Sequence, residues 1–313
     1  MMLFGPRWIY GLPLLPLVPA AVLLRRRLLW PLALGATVVA WPIMGLCLPW
    51  GRAVAPDGPT IRVLTCNVDG DAATAGAIRK LIETEQPDVV ALEECPGGAS
   101  YQWPEGWHVC QHGELLVASR YPVREIREMD GPRPGHAWPR ATLLQCLIST
   151  PDRDIDFCCI HLPSPRYGIS TVLDRSTVVA PSRSGMIDDG AYQRREQSEE
   201  VARRVEGESA SVILAGDFNT PTDSSVYRQT WGRYRNAFST SGFGLGNTMR
   251  PDVHGWRFGI RIDHILTGPS WWPRNCRVGP DIGSEHLPLV ADLVWIGGGD
   301  EPSRAQGRRQ SKE

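Results

Sequence analysis

The chain has 313 residues, 42% of them hydrophobic and 21% charged, and a formal net charge of −1, which suits one large globular domain plus additional segments. The charge is uneven: residues 1–52 hold five arginines and no acid, leaving −6 on everything after them. A net-negative main domain argues against a broadly basic, non-specific nucleic-acid-binding face, although a local basic patch remains compatible with it.

The first fifty residues stand apart. Trp8–Leu24 is a 17-residue stretch without charge, Arg25–Arg27 is a basic triplet, and Leu28–Trp50 is a further 23 residues without charge. About 20 apolar residues span a hydrocarbon core, so the second stretch is the better spanning candidate; the first is short and holds Pro13, Pro16 and Pro19. The expectation is a membrane anchor over residues 1–52, with spans at 8–24 and 28–50 and the triplet on the cytoplasmic side. Ala53-Val54-Ala55 offers the competing reading of a long, cleaved signal peptide, but the second run far exceeds a signal h-region. Either way the large domain is placed outside the cytoplasm.

Residues 53–59 read as a Pro/Gly linker. Ile61–Val68 then forms a buried-strand pattern, and a helix with apolar spacing at Ile78, Leu81 and Ile82 runs to Pro87. Further strands follow at "PDVVALEE" and "GELLVASRYPV", and "RATLLQCLIST" with "DIDFCCIHL" reads as a hairpin around Pro151-Asp152. A polar loop, Pro163 to Gly190, precedes a mixed-charge helix over 192–207 and the strand "SVILAGDFN". "IRIDHILT" and "LPLVADLVW" close the domain at about residue 296. Strands and helices alternate early and hairpins dominate later, which predicts mixed sheets. The tail from Gly297 is predicted to be disordered.

Polar groups able to ligate a cation or move a proton collect at the strand ends: Asn67, Glu93, His161, Asp217, Asn219, Asp263 and His286. Each alone has a bland reading as a turn, loop or packing residue. In this order the segments "TCNV", "LEE", "HLPSP", "AGDFNTP", "RIDHIL" and "SEHLPLV" resemble the endonuclease/exonuclease/phosphatase superfamily, the DNase I-like fold, over residues 60–296. The resemblance implies an α/β protein, a four-layer α/β/β/α sandwich, here preceded by N-terminal transmembrane segments, that hydrolyses phosphoesters with Mg²⁺ or Mn²⁺. It also implies roles. Glu93 and Asn67 would be metal ligands, since a hard cation favours oxygen donors. His286 would be the base or phosphate-contacting histidine, with Asp263 fixing its tautomer. Asp217 would orient the attacking water or assist a metal, Asn219 would donate to transition-state oxygens, and His161 would contact phosphate or assist the leaving group.

Most members carry Asp where this chain has Glu285, so that residue is a further, uncertain metal candidate. Arg140 has two readings, a phosphate contact or a solvent salt bridge, and Arg166 is a weaker phosphate candidate. Strand alternation predicts that Glu94 turns away from the site that Glu93 faces, and that His264 packs behind Asp263. Trp256, Trp271 and Trp272 read as packing sooner than as base- or sugar-stacking residues, and none of the eight cysteines has zinc-site spacing. The anchor and acidic domain favour a phosphoester near the membrane, lipid-linked or small. An extracytoplasmic nuclease acting on DNA or RNA and a non-catalytic phosphate-binding module remain as alternatives. No obligate protein partner is evident.

Overall fold

The computed structural model describes residues 7–70, 73–95, 101–131, 140–164, 182–206, 210–250, 252–253 and 256–297. Arg166, most of the predicted 163–190 loop, the Trp256 side chain and the tail beyond Gly297 lie outside the described residues.

Two six-stranded mixed sheets face each other. The first carries β1 (Thr60–Asn67), β2 (Val89–Glu93), β3 (His108–His112), β4 (Leu115–Ser119), β13 (Trp271–Val278) and β14 (Leu289–Trp295), in the order β13-β14-β1-β2-β4-β3. The second carries β5 (Val123–Gly131), β6 (Arg140–Ser149), β7 (Asp154–His161), β8 (Ile213–Asp217), β9 (Arg235–Asn236) and β12 (Asp263–Thr267), in the order β5-β6-β7-β8-β12-β9. A separate ribbon pairs β10 (Asp252–Val253) with β11 (Trp256–Arg257). The predicted hairpin is β6–β7, with Ser149 opposite Asp154.

Each large sheet contains one parallel pair at its centre, β1 with β2 and β7 with β8, and each pair is joined by a crossover helix. The first crossover, Ala75–Glu85, is capped by the Thr74 hydroxyl accepting from Ala77 N at 3.2 Å, a contact worth about 1 kcal/mol. It buries Ile78, Leu81 and Ile82, the spacing of one helix face, against Leu64, Val90 and Leu116. The second crossover, Ser182–Val205, packs Val201, Ala202 and Val205 on Leu143, Ile160 and Leu214. It starts inside the segment predicted as loop; Gly185 and Gly190 each weaken a helix by only about 1 kcal/mol. Between the sheets, Val63, Ala91, Val117, Leu144, Phe157, Ala215 and Ile265 form the shared core, so the layers run helix, sheet, sheet, helix.

The N-terminal segment is a helical hairpin. Among the described residues, Arg7–Leu24 is the one stretch of helix long and apolar enough to cross a membrane by length and composition. The second stretch differs from the span expected over 28–50. Its α-helix covers Leu29–Val38, a π-turn containing Pro42 follows to Ile43, and the chain then leaves helical geometry. Proline removes a backbone donor, and Gly45 turns the chain at φ 78°. Cys47 then bonds to the domain, its N–H donating to Gly244 O at 2.8 Å and its carbonyl accepting from Gly244 N at 3.1 Å. The end of the predicted anchor and the linker are also tied to the domain: Trp272 Nε1 donates to Gly51 O at 3.0 Å, and within the linker Pro56 O accepts from Arg274 at 2.6 Å.

Candidate active site

The two parallel pairs end side by side. Asn67 is opposite Glu93 at the last register position of β1–β2, and His161 is opposite Asp217 at the last position of β7–β8. Asp263 begins β12 directly opposite Asp217. Carboxyl ends of parallel strands are where α/β sheets place their ligands, because loops there can converge without blocking the sheet. The "AGDFN" segment fits this corner through Gly216: at φ 143°, a Cβ there would lie 2.0 Å from Ile160 O. Asn219, at φ 48°, takes the left-handed conformation asparagine tolerates.

Asp217 is the centre of the cluster. Its Oδ1 accepts from Asn219 N at 2.9 Å, and its Oδ2 accepts from the side-chain amides of Asn219 at 3.0 Å and Asn67 at 3.2 Å. Asn219 is held in turn by donating to Leu162 O at 2.8 Å. His161 Nε2 lies 3.6 Å from Asp217 Oδ2. His286 Nδ1 sits 3.1 and 3.0 Å from the two oxygens of Asp263, while its Nε2 faces Asp217 Oδ2 at 3.9 Å. Asp217, Asp263 and His286 bring one ligand atom each within 4.8 Å of one another, a grouping able to hold a cation.

The electrostatics follow from burial and crowding. Burial and the neighbouring Asp263 push Asp217 up to about 7, against His286 and the Asn219 N–H, which pull it down. Burial disfavours a charged His286, but Asp263 and Asp217 outweigh it and raise the imidazole to about 10. His264, facing away from Asp263 as expected, is held at about 4 by burial, with its Nε2 2.9 Å from Thr220 O.

The glutamate pair reverses the expectation. Glu93 does face the inter-sheet space, but it forms the floor beneath the cluster: fully buried, it accepts from Thr65 Oγ1 at 2.8 Å on Oε1, and Cys159 Sγ approaches the same oxygen at 3.5 Å. Its Oε2 is buried without a hydrogen-bond partner, and burial, with Asp263 nearby, pushes the acid well above the usual carboxylate range. Glu94 is the residue that reaches the cluster. Its φ of 55° breaks strand alternation and turns the carboxylate back over the strand end, 3.1 Å from Asn67 Nδ2, 2.8 Å from Arg140 and 3.6 Å from His161. Burial works to raise Glu94, but His161 and Arg140 prevail and hold it at about 2.

Arg140 is ion-paired, with Glu94 and with Glu114 at 2.9 Å, the salt-bridge reading of that residue. Glu285 is exposed and outside the ligand grouping; its carbonyl accepts from Arg250 N at 3.0 Å. Trp271 is buried, and the Trp272 ring is covered by Arg235 at 4.6 Å. Two supporting residues carried no chemical signal in the sequence. Thr248 Oγ1 accepts from Asp263 N at 3.2 Å, and Ser284 Oγ donates to Asn67 O at 2.8 Å while accepting from His286 N at 3.0 Å. A cavity of about 730 Å³ lies elsewhere, by Trp103, Trp107 and Arg120 near the opposite ends of β2 and β4, and contains none of these groups.

Comparisons with known proteins bear on the fold and the family. No curated protein matches the chain. An endonuclease/exonuclease/phosphatase family protein from Bacteroides thetaiotaomicron superposes with a TM-score of 0.57 at 15% identity, covering 77% of this chain and 99% of that one. A 3'-5' exonuclease from Neisseria meningitidis gives 0.54 at 19% identity, covering 75% and 100%. A mannosyl-6-phosphatase from Bacteroides thetaiotaomicron gives 0.52 at 16%, also covering 75% and 100%. At these identities the likeness establishes the fold, the DNase I-like sandwich. The sequence itself matches the Endonuclease/Exonuclease/phosphatase family from residue 64 to residue 286, from the middle of β1 to the histidine at the centre of the cluster, and the chain belongs to that family of phosphoester hydrolases.

Proposed function

We propose that the protein is a divalent-cation-dependent phosphoester hydrolase that works outside the cytoplasm, close to the membrane. The observation that carries this reading is the convergence on Asp217: two amides, a backbone N–H and two imidazoles surround one buried carboxylate. A pure binding module has no need of a His286–Asp263 pair with its second nitrogen turned toward that carboxylate.

The donor set fits a hard cation. Glu94 is kept ionised and its side chain is 31% exposed, which offers the kind of carboxylate oxygen Mg²⁺ or Mn²⁺ prefers beside the Asp217, Asp263 and His286 grouping; Asn67 holds that carboxylate by donating from Nδ2, while its own Oδ1 accepts from Asp69 N at 3.0 Å. Glu93, fully buried with Oε1 held by Thr65 and Cys159, is a poor ligand as it stands. When bound, the cation would neutralise phosphate charge and polarise the phosphorus–oxygen bonds.

The chain's own groups divide the remaining work. Asp217, fixed by Asn219 N and poised near neutrality, orients a water and takes its proton. His286, oriented by Asp263, gives its Nε2 proton to the leaving oxygen as the bond from that oxygen to phosphorus breaks. His161 lies on the same side of Asp217 and contacts a second phosphate oxygen, and the Asn219 amide shifts its donation toward the developing negative charge.

The test is the full chain purified in detergent and assayed on nitrophenyl phosphates, plasmid DNA and lipid pyrophosphates, with Mg²⁺ and with EDTA. Metal-dependent turnover that collapses in Asn219→Ala and His286→Ala is expected. Cleavage of plasmid alone would make the protein a nuclease, and ligand binding without turnover would make it a binding module.

A further inference from the structure

The hairpin leaves the domain at the rim of the candidate active site. Arg7, at the start of the first helix, donates through NH1 to Ile43 O at 3.2 Å and through NH2 to Asp223 at 2.8 Å. One side chain thus ties both legs of the hairpin to the turn that follows Asn219. Met44 and Gly45 line a small cleft with Thr222 and Leu245, and Cys47 pairs with Gly244. From Gly244 the chain runs directly to the site: Thr248 accepts from Asp263 N, and Met249 bridges to His286.

The hairpin's surface is zoned as a bilayer would require. Eighteen helical residues rise about 27 Å, close to the ~30 Å of a hydrocarbon core. Exposed Trp8, Tyr10 and Trp41 ring the root, exposed Trp30 sits beside Arg25–Arg27 at the far end, and aliphatic residues such as Leu15 and Leu34 lie exposed between. Aromatic residues at both ends and arginines at one are the pattern of a membrane-crossing segment. On the domain itself, Phe243, adjoining the Cys47–Gly244 bridge, is 72% exposed, the highest value for a large apolar residue among the described residues from 60 onward. An aromatic ring held in water at the level of the interfacial tryptophans gains about 1.5–3 kcal/mol if it is buried.

We propose that the hairpin root, the turn Pro221–Asp223 and Phe243 seat the mouth of the active site on the bilayer surface, with Phe243 in the headgroup layer, so that the phosphoester attacked belongs to a lipid headgroup. The identity of the substrate rests on the hydrolase reading above; the seat does not.

The full chain is reconstituted in vesicles of phosphatidylcholine and phosphatidylglycerol, with Phe243→Cys carrying a polarity-sensitive fluorophore and Ile126→Cys, exposed on the edge strand β5, as the reference site. Unsubstituted protein sets the background from native cysteines. The Phe243 label is expected to shift to shorter wavelength and to be quenched by lipids spin-labelled near the headgroup, while the Ile126 label does neither. Equal quenching at the two sites, or a blue shift at Phe243 without lipid quenching, as a second copy or a protein partner would give, overturns the seat.

Activity then tests the substrate. Phe243→Ser should leave hydrolysis of soluble bis-nitrophenyl phosphate unchanged and lower release of nitrophenol from a vesicle-borne nitrophenyl phospholipid about tenfold. Equal effects on both substrates overturn the headgroup assignment. Loss of turnover on both by the unsubstituted chain defeats the hydrolase reading instead, and the quenching result stands without it.

Discussion

Two strand ends each bring a pair of adjacent ionisable residues to the same corner, and they resolve it differently. At the start of β12, regular alternation puts Asp263 into the cluster and His264 behind the sheet, against Phe218 and Tyr227. At the end of β2 the residue nearest the cluster by alternation, Glu93, becomes the floor, and the next one, Glu94, swings in through a left-handed backbone. The outcome is two neighbouring carboxyls shifted in opposite directions: Glu93 raised by burial, Glu94 lowered to about 2 by His161 and Arg140. A strand positions side chains by period two only while it remains a strand; one positive φ transfers the role to the next residue.

The largest expected effect tests the β12 side. His286→Ala removes the imidazole that Asp263 orients, and metal-dependent turnover should fall by about 10²–10⁴-fold, the range for a positioned proton-transfer group. A decrease smaller than tenfold in kcat, with KM raised instead, would reduce His286 to a substrate-binding residue.

The β2 side is tested by two isosteric changes one residue apart. Glu94→Gln should raise the Mg²⁺ concentration needed for half-maximal rate by more than about a hundredfold, since even partners that only support a ligand cost 10–100-fold. Glu93→Gln keeps the shape of a buried side chain that lies beneath the cluster and should alter the rate by less than about fivefold, under ~1 kcal/mol. The reverse ranking in a metal titration would return the ligand role to Glu93.

This pair also marks how far the sequence could be read. The residues that converge on Asp217 are identifiable beforehand because each ends or begins a strongly apolar strand, and "GDFN" carries both its acid and the amide that holds it. The layering follows from the same runs, since β1, β2, β7 and β8 are buried along most of their length. The edge strands β3 and β5 are mostly exposed and offer no such run, and β13 is interrupted by a register shift at Pro273. Thr248 and Ser284 act through single hydroxyls on chain that has no regular period. The turn at Glu94 has no Gly or Asn to announce its positive φ. The hairpin's short second leg was hidden by composition: Leu28–Trp50 is apolar throughout, and only its docking shows where helix stops and domain begins.

A smaller effect compares the two histidines by pH, in EDTA. His264 is depressed to about 4, below its unfolded value of ~6.5, so between these values the unfolded state binds the proton and stability falls as pH drops, by up to about 3 kcal/mol. His286 is raised to about 10, so its contribution is complete below ~6.5 and is lost as pH rises toward 10. Asp217, raised to about 7, has the opposite sign, because the folded state holds its proton there and gains stability as pH falls, so it offsets the His264 slope on the acid side. Denaturation midpoints of the unsubstituted protein and His264→Gln compared across pH isolate the histidine: the difference should change between ~6.5 and 4, and a pH-independent difference would mean that the buried carboxyls alone set the acid limb. Asp263→Asn should flatten the alkaline side and, by lowering Asp217, change the acid side as well.

The smallest effect belongs to the residue that differs from its family's usual Asp. Along Ile282–His286 burial alternates, with Ser284 and His286 inside and Glu285 outside, and Met249 bridges to His286 while Arg250 N holds the Glu285 carbonyl. The backbone at Glu285 is therefore fixed by its neighbours, and the exposed residue stands outside the Asp217, Asp263 and His286 grouping. Shortening that arm by one methylene changes neither the bond to Arg250 nor any donor within the cluster. Glu285→Asp should shift the half-maximal Mg²⁺ concentration by less than about threefold, or ~0.7 kcal/mol. A tenfold tightening would instead show that the cation sits on the outer side of His286, within reach of position 285, and would move the metal away from Glu94.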